Sequence, residues 1–114
     1  MINDSQRIRH ILEAIRKIEE VTACTQEEFT ASFLKRDAVS YNFLVIGEAA
    51  NQVSAGLKEA HPEIPWKVIV GMRNVLIHDY VQTNYSLMWR TVKDDLPPFR
   101  EQMAALYGTL PPQN

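Results

Sequence analysis

The sequence predicts an all-α protein, a single domain over residues 1–114 folded as an antiparallel helical bundle with short connections. Two observations support this prediction. Apolar residues recur three and four positions apart nearly throughout the chain, which is the spacing of one helix face. Glycine is scarce, with four residues in 114, so few positions would interrupt such helices.

The first helix is predicted from a row of apolar residues near the N-terminus, with Asn3 or Asp4 as its cap. That row is Ile8, Ile11, Leu12, Ile15, Ile18 and Val21. Residues 25–28 then have the T-x-x-E form of a capping box, in which each of two side chains binds the other residue's backbone N–H. A short second helix should begin there and bury Phe29 and Phe33.

A long central helix is predicted from about residue 37 to residue 60. Its apolar seam has alternate spacings of four and three: Val39, Phe43, Ile46, Ala50, Val53 and Leu57. Residues 41–46 could locally form a strand, but the seam continues past them and favours an unbroken helix. A second row lies beside the seam: Ala38, Val45, Ala49 and Gln52. A surface this wide predicts burial on two sides, in the core and against something else.

Two further helical patterns complete the chain. Pro65 suits the first turn of a helix whose core stripe is Trp66, Ile69, Met72 and Leu76. The last pattern keeps its phase through Pro97 and Pro98: Met88, Trp89, Val92, Leu96, Phe99, Met103 and Leu106. Two prolines remove two backbone donors, so we expect a kinked helix or two nearly collinear helices. The predicted end of this helix is set by Gly108, Pro111 and Pro112.

Composition narrows the class of protein. A hydrophobic fraction of 46% and a charged fraction of 23% are typical of a soluble globular chain. The net charge of -2 argues against binding of nucleic acid by bulk electrostatics, although a local basic cleft is compatible with it. A lone cysteine, Cys24, excludes an intrachain disulfide and a cysteine zinc cluster, and is best interpreted as a small buried apolar residue.

The ends and motifs of the chain narrow the class further. The polar N-terminus indicates no signal peptide, and the apolar runs are too short to span a bilayer, so we expect no membrane association and a cytoplasmic location. The sequence has no glycine-rich phosphate loop and no set of metal ligands with credible spacing. Neither a metal nor a cofactor is therefore predicted.

Polar residues that fit poorly with simple packing are concentrated in residues 71–80, GMRNVLIHDY. On a continuous helix Asn74 and His78 share one face, and Arg73 lies about 100° round the axis with a side chain long enough to swing back. Histidine can take up and return a proton at neutral pH, and the forked arginine cation suits a phosphate. Arg73 and His78 together would be the smallest set of side chains for metal-free cleavage of RNA, in which the 2′-hydroxyl of the RNA is the nucleophile. The alternative is a histidine that interacts with the helix dipole beside a surface Arg–Asp pair.

Three segments resemble the HepT-like branch of the HEPN superfamily: IGEAANQVS, HPEIPWKVIVGMRNVLIHDY and WRTVKDDLPPFREQM. The resemblance covers residues 8 to about 106. The family's R-x4-H-x-Y motif is matched by Arg73, His78 and Tyr80, and Asn74 occupies the polar position after the arginine. The resemblance implies an all-helical symmetric homodimer whose two motifs face one cleft, with Arg73 and His78 catalytic and Asn74 supporting them.

The resemblance also implies a function. Proteins of this branch are metal-independent ribonuclease toxins paired with a minimal nucleotidyltransferase antitoxin, which silences the toxin by transferring AMP to the motif tyrosine, here Tyr80. Related HEPN domains that lack activity act as binding partners. The second hypothesis is therefore an inert helical binding module that assists a nucleotidyltransferase, and metal-free RNA cleavage compared with His78→Ala discriminates the two. A third, a purely structural dimerisation domain, leaves the Arg-Asn-His-Tyr cluster unexplained.

Several charged residues lie outside the motif. A two-fold dimer would bring further cations around the shared groove, which would give an acidic chain a locally positive site: Lys67, Arg90 and Lys93. Glu48 is left open between a residue that supports the cleft and a solvated surface residue. His10 and His61 are expected to be solvent-exposed.

Two pairs of residues have a packing interpretation. Trp66 and Trp89 could stack RNA bases, but their spacing favours the core. Gly47 and Gly71 lie inside predicted helices, where glycine costs about 1 kcal/mol relative to alanine. Close helix–helix approach would explain both.

Overall fold

The computed structural model describes residues 3–78 and 84–111, with the backbone alone for residue 72 and residues 74–78. The described residues are helical throughout, apart from short connections. In chain order the α-helices are α1 (Asp4–Val21), α2 (Gln26–Ala31), α3 (Phe33–Gln52), α4 (Ala55–Ala60), α5 (Trp66–His78), α6 (Tyr85–Arg90) and α7 (Leu96–Thr109). A π-helical turn, Thr91–Asp95, joins α6 to α7. The predicted all-helical class is confirmed for these residues.

Helix α1 has the predicted face and the predicted cap. Asn3 closes a capping box with Gln6: the Asn3 side chain accepts from the Gln6 backbone N–H at 2.9 Å, and the Gln6 side chain accepts from that of Asn3 at 2.8 Å. Four members of the predicted apolar row are fully inaccessible: Ile8, Ile11, Ile15 and Ile18. The other two, Leu12 and Val21, are partly buried against the same core.

Helix α2 begins at the predicted capping box, in which Thr25 and Glu28 bind each other's backbone N–H groups at 3.1 and 3.0 Å. Phe29 is fully buried, as expected. The predicted burial of Phe33 is wrong, because that side chain is largely exposed. The helix stops at Ala31 and Ser32 caps a new one, so Phe33 begins α3 on a different face.

The central helix is shifted relative to its prediction. It begins at Phe33 and ends at Gln52, so the expected continuous helix to residue 60 is wrong. The break is at Ser54, whose backbone N–H and hydroxyl both donate to the carboxylate of Asp4, at 2.9 and 2.5 Å. Ser54 also caps α4 by accepting from the Leu57 N–H. Residues 41–46 are helical rather than extended, as predicted, and the seam is buried from Val39 to Val53.

The last third of the chain follows the predicted pattern. Helix α5 begins directly after Pro65, and Trp66 and Ile69 of its predicted core stripe are buried. The side chains of the other two members, Met72 and Leu76, lie outside the described residues. Pro97 and Pro98 occupy the first turn of α7, directly after the π-helical turn, so their missing N–H groups fall where the hydrogen-bond register of the helix already changes. Helices α6 and α7, which this π-helical turn joins, therefore keep the spacing of their apolar residues through the two prolines. Helix α7 ends at Thr109, one residue after Gly108.

The packing order positions α5 for the site. Helix α3 packs between α1 and α5, and α7 packs against α1. The buried side chains form one core cluster drawn from all of these helices. Helix α5 thus lies along one side of the central helix, α3, and contacts the middle turns of α3. Among the described residues, none of the helices has the length and apolarity that a bilayer crossing requires.

Candidate active site

Arg73 lies where α5 comes closest to the central helix. A Cβ atom added at Gly47 of α3 would be 2.7 Å from the Cβ of Arg73 and 3.3 Å from the carbonyl oxygen of Val70. Only a residue without a side chain permits this spacing, which confirms the close approach expected at Gly47. The same explanation is wrong for Gly71 within the chain, because no described atom lies within 4 Å of a Cβ built there.

The guanidinium of Arg73 forms an ion pair with Glu48, the residue after that glycine. Nη1 of Arg73 donates to Oε2 of Glu48 at 2.5 Å. The Arg73 side chain is only 23% exposed, whereas that of Glu48 is 53% exposed. Glu48 is therefore exposed to solvent and also contacts the candidate catalytic arginine. This contact favours the interpretation of Glu48 as a residue that supports the cleft over that of a solvated surface residue.

The ion pair favours the charged form of Glu48. The hydrogen bond from Arg73 lowers the pKa of the Glu48 carboxyl below its ordinary 4.5, and the hydrogen bond from Gln52 and the charges of Arg73 and Arg7 lower that pKa further. Glu48 is therefore ionised at neutral pH. The charge of Arg7 on α1 thus also acts on this carboxylate, so cations of two helices contribute to its low pKa.

The register of α5 separates Arg73 from His78. Helix α5 runs without interruption to His78, and five residues on an α-helix turn about 140° round its axis. Asn74 and His78 fall instead on the strip of α5 that contains Gly71, with spacings of three and four. The described residues include neither the side chains of Asn74 and His78 nor any part of Tyr80. Of the candidate site residues, the structure therefore describes only the contact between Arg73 and Glu48.

The chain matches the family described as Ribonuclease HepT-like over residues 11–106, a range that includes every residue of the motif. The chain belongs to this family. The chain is thus a HepT-like ribonuclease, and its α5 carries the R-x4-H part of the sequence pattern that begins at Arg73.

Curated relatives agree with this assignment. The chain is 36% identical over 94 residues to "Putative RNase MJ1380" of Methanocaldococcus jannaschii, covering 82% of this chain and 86% of that protein. It is 36% identical over 100 residues to "Probable ribonuclease HepT" of Thermococcus cleftensis, covering 87% and 91%. A third relative, "Putative RNase TTE0752" of Caldanaerobacter subterraneus, is 33% identical over 97 residues, covering 84% and 87%. No solved structure gives a significant match.

An exposed apolar stripe on α3 ends at the ion pair of this HepT-like chain. We define this exposed stripe as Leu34, Ala38, Tyr41 and Val45, which have alternate spacings of four and three, and the next position in that series is Glu48. Leu34 and Tyr41 are its exposed members, whereas Ala38 and Val45 are partly buried. Leu34 is 70% exposed and Tyr41 is 63% exposed, which is unusual for side chains so large. Leu34 lies before the predicted start of this helix near residue 37, and Tyr41 lies inside the predicted helix but in neither of its two predicted apolar rows. The wide apolar surface predicted for this helix was the available signal.

The other cationic candidates divide by location. Lys93 donates to the carbonyl oxygen of Thr22 at 2.8 Å and lies over the ring of Trp89. Thr22 is about 22 Å along α1 from Arg7, at 1.5 Å per residue. Lys93 is therefore at the far end of this helix from the Arg73 ion pair, and it does not join that cluster within the chain. Lys67 and Arg90 are exposed.

Both tryptophans have core roles, as the sequence favoured. Trp66 is buried, and its indole N–H donates to the carbonyl oxygen of His61 at 3.1 Å. Trp89 packs on Phe29 with ring centroids 5.4 Å apart. The histidines outside the motif are partly buried rather than fully exposed, and His61 contacts Glu63 through Nδ1 at 3.2 Å.

A groove and the cysteine lie away from the ion pair of Arg73 and Glu48. A groove of about 720 Å³ lies between the first half of α5, the π-helical turn and α7, on the side of α5 that carries Val68 and Gly71. Cys24 is partly buried near the end of α1. Among the side chains that the structure describes, no three of the His, Cys, Asp or Glu type are close enough to hold a metal ion.

Proposed function

We propose that the chain is a metal-independent endoribonuclease toxin in which Arg73 and His78 act on one RNA phosphate and Asn74 supports them. The observation that carries this proposal is the Arg73 guanidinium, held at the α3–α5 crossing of a HepT-like chain by Gly47 and Glu48. A permanently charged, forked cation that is fixed in place is suited to the charge that develops on a phosphate during transfer.

The reaction needs no group beyond these side chains and the RNA. His78 takes the proton of the 2′-hydroxyl, whose oxygen forms a bond to the adjacent phosphorus. The bond from phosphorus to the 5′-oxygen breaks, and that oxygen receives a proton from His78. Arg73 stabilises the additional charge on the phosphoryl oxygens. The products carry a 2′,3′-cyclic phosphate and a 5′-hydroxyl.

The register of α5 favours an active site shared by two protomers. Arg73 and His78 are about 140° apart on one helix, and the Arg73 head turns toward α3. A symmetric homodimer would place the arginine of one protomer near the histidine of its partner. The exposed stripe of α3 supports this arrangement, since it leads to Glu48 and a second copy would cover it.

The proposed partner is a cognate minimal nucleotidyltransferase that acts as antitoxin. In the proposed step, the Tyr80 hydroxyl oxygen bonds to the α-phosphorus of ATP, pyrophosphate leaves, and the phenolic proton is lost. The adenylate adds a phosphate and a base two residues beyond His78. This group would occupy the cationic cleft and repel RNA phosphates, which silences the toxin.

Cleavage of RNA by the purified protein in a chelator tests the reaction. Wild type should cleave and leave 2′,3′-cyclic ends, whereas Arg73→Ala and His78→Ala should each lose at least about a hundredfold in rate, because each removes a group that stabilises the transition state at the reacting phosphate. Arg16→Ala is the matched control, since Arg16 forms its ion pair with Glu13 on the outer surface of α1. Absence of cleavage by wild type would favour the inert binding module instead.

Intact-mass measurement tests the modification. After incubation with the cognate transferase and ATP, wild type should gain mass in adenylate steps and lose its activity. Tyr80→Phe keeps the ring and removes the acceptor oxygen, so it should gain no mass and stay active. Equal modification of both proteins would place the acceptor elsewhere.

A further inference from the structure

Glu48 contacts Arg73 in a way that leaves most of the guanidinium unoccupied by the carboxylate. The ion pair uses one nitrogen, Nη1, and one oxygen, Oε2. Arginine has five N–H donors in a planar fork, so a single contact orients the plane without using the whole fork. Arg16 on α1 is different: its Nε and Nη2 both donate to Glu13, and its Nη1 donates to Glu20.

We propose that Glu48 is a positioning residue of the ribonuclease site, which holds Arg73 by Nη1 so that its other donors can meet the RNA phosphate. This inference rests on the proposed function. Gly47 sets the distance between α3 and α5 at Arg73, and Glu48, on the next residue of α3, fixes the far end of the same side chain. Backbone and head group are thus restrained by consecutive residues of one helix.

This arrangement has opposing effects on binding and on rate. A carboxylate beside the phosphate site repels RNA, so Glu48 weakens substrate binding. A guanidinium that is already oriented does not need to be ordered during the reaction, so Glu48 raises the rate of the chemical step. A residue that only stabilised the fold would not separate these two quantities.

The kinetic test is Glu48→Gln, measured with RNA under single-turnover and steady-state conditions. We expect kcat to fall about ten- to hundredfold, since small displacements of a catalytic group cost this much. KM for RNA should be unchanged or lower, because a negative charge has been removed. Melting temperature and oligomeric state should match wild type, as the Glu48 side chain is half-exposed. Unchanged kcat would overturn the inference, as would equal losses in kcat, RNA affinity and stability.

The matched control is Glu13→Gln. Glu13 is also a helical glutamate paired with an arginine, at 2.8 Å, and its 52% exposure equals that of Glu48 within one percent. Its substitution should leave kcat and KM unchanged. A loss like that of Glu48→Gln would show a general effect of removing surface carboxylates, and would overturn the inference.

A second readout does not depend on catalysis. Side-chain NMR of the arginine Nε–H groups should show Arg73 as rigid in wild type and mobile in Glu48→Gln, while Glu13→Gln should loosen Arg16 alone. A wild type that cleaves no RNA would refute the proposed function, and the NMR comparison would then decide whether Glu48 orients Arg73. An Arg73 signal that is equally rigid in both proteins would overturn the inference even if cleavage is observed.

Discussion

Single residues determine the geometry around Arg73. Gly47 permits the approach of α5 to α3, and Glu48 binds the arginine that this approach delivers. The two neighbours act by different physics, one through the absence of a Cβ atom and the other through charge. The position of the candidate catalytic cation therefore depends on steric space as much as on electrostatics.

Gly47→Ala tests the steric part. The new methyl group would meet the Cβ of Arg73 at 2.7 Å, and neither atom is the end of a flexible chain. We expect a loss of about 1–3 kcal/mol in the free energy of unfolding, as for other overpacked sites, together with reduced cleavage because α5 must shift. Urea denaturation and the RNA assay measure the two effects.

Gly108→Ala provides the matched control within α7. No described atom lies within 4 Å of a Cβ at that position. Helical alanine is more favourable than glycine by up to about 1 kcal/mol, so this variant should be slightly more stable than wild type and fully active. Loss of stability in both variants would contradict the steric explanation of Gly47.

At the scale of elements, side-chain caps determine where helices begin. Asn3, Thr25, Ser32, Ser54 and Asn84 each accept a backbone N–H from the residue three positions further on. Each satisfies a donor that the first turn of a helix leaves without an internal partner. Short helices such as α2 gain most from a cap because they have few internal hydrogen bonds.

Thr25→Ala should destabilise the protein by about 1 kcal/mol, the usual cost of a lost N-cap. The variant removes the acceptor for the Glu28 N–H and weakens the helix that buries Phe29 against Trp89. Urea denaturation measures the change. Thr25→Ser keeps the hydroxyl and should differ little from wild type, so an equal loss in the serine variant would assign the effect to the threonine methyl group.

At the scale of the whole molecule, the exposed stripe of α3 is an apolar surface next to the Glu48–Arg73 ion pair. Its two largest members, Leu34 and Tyr41, are mostly exposed, while the opposite face of α3 contributes to the core. A two-fold interface along this stripe would bring two copies of the Glu48–Arg73 pair into one region. The oligomeric state and the active site are therefore linked predictions.

Sedimentation velocity at micromolar concentration should give twice the 13.1 kDa chain mass. Leu34→Asp and Tyr41→Asp should each give a folded monomer with strongly reduced cleavage, because a charge buried at the interface opposes association. Leu87→Asp, at an exposed leucine of α6, should remain dimeric and active. An active wild-type monomer would contradict the shared cleft.

The local sequence predicted the helices well, because helical periodicity and capping act over three or four residues. The face of α1, the capping box of α2 and the placement of Pro97 and Pro98 all follow from neighbours along the chain. The motif predicts a catalytic role for Arg73, and that role stays a prediction. Local rules placed Phe33 wrongly, since Ser32 starts a new helix and changes the face.

Tertiary structure decided the features that depend on residues far apart in sequence. The central helix ends near Ser54 because that residue binds Asp4, fifty positions earlier. The sequence alone leaves the role of Glu48 open. The crossing at Gly47 brings Arg73, twenty-five positions later, within hydrogen-bonding distance of the Glu48 carboxylate. Periodicity determines which face of a helix is apolar, but the packing of α5 against α3 determines which polar residues meet.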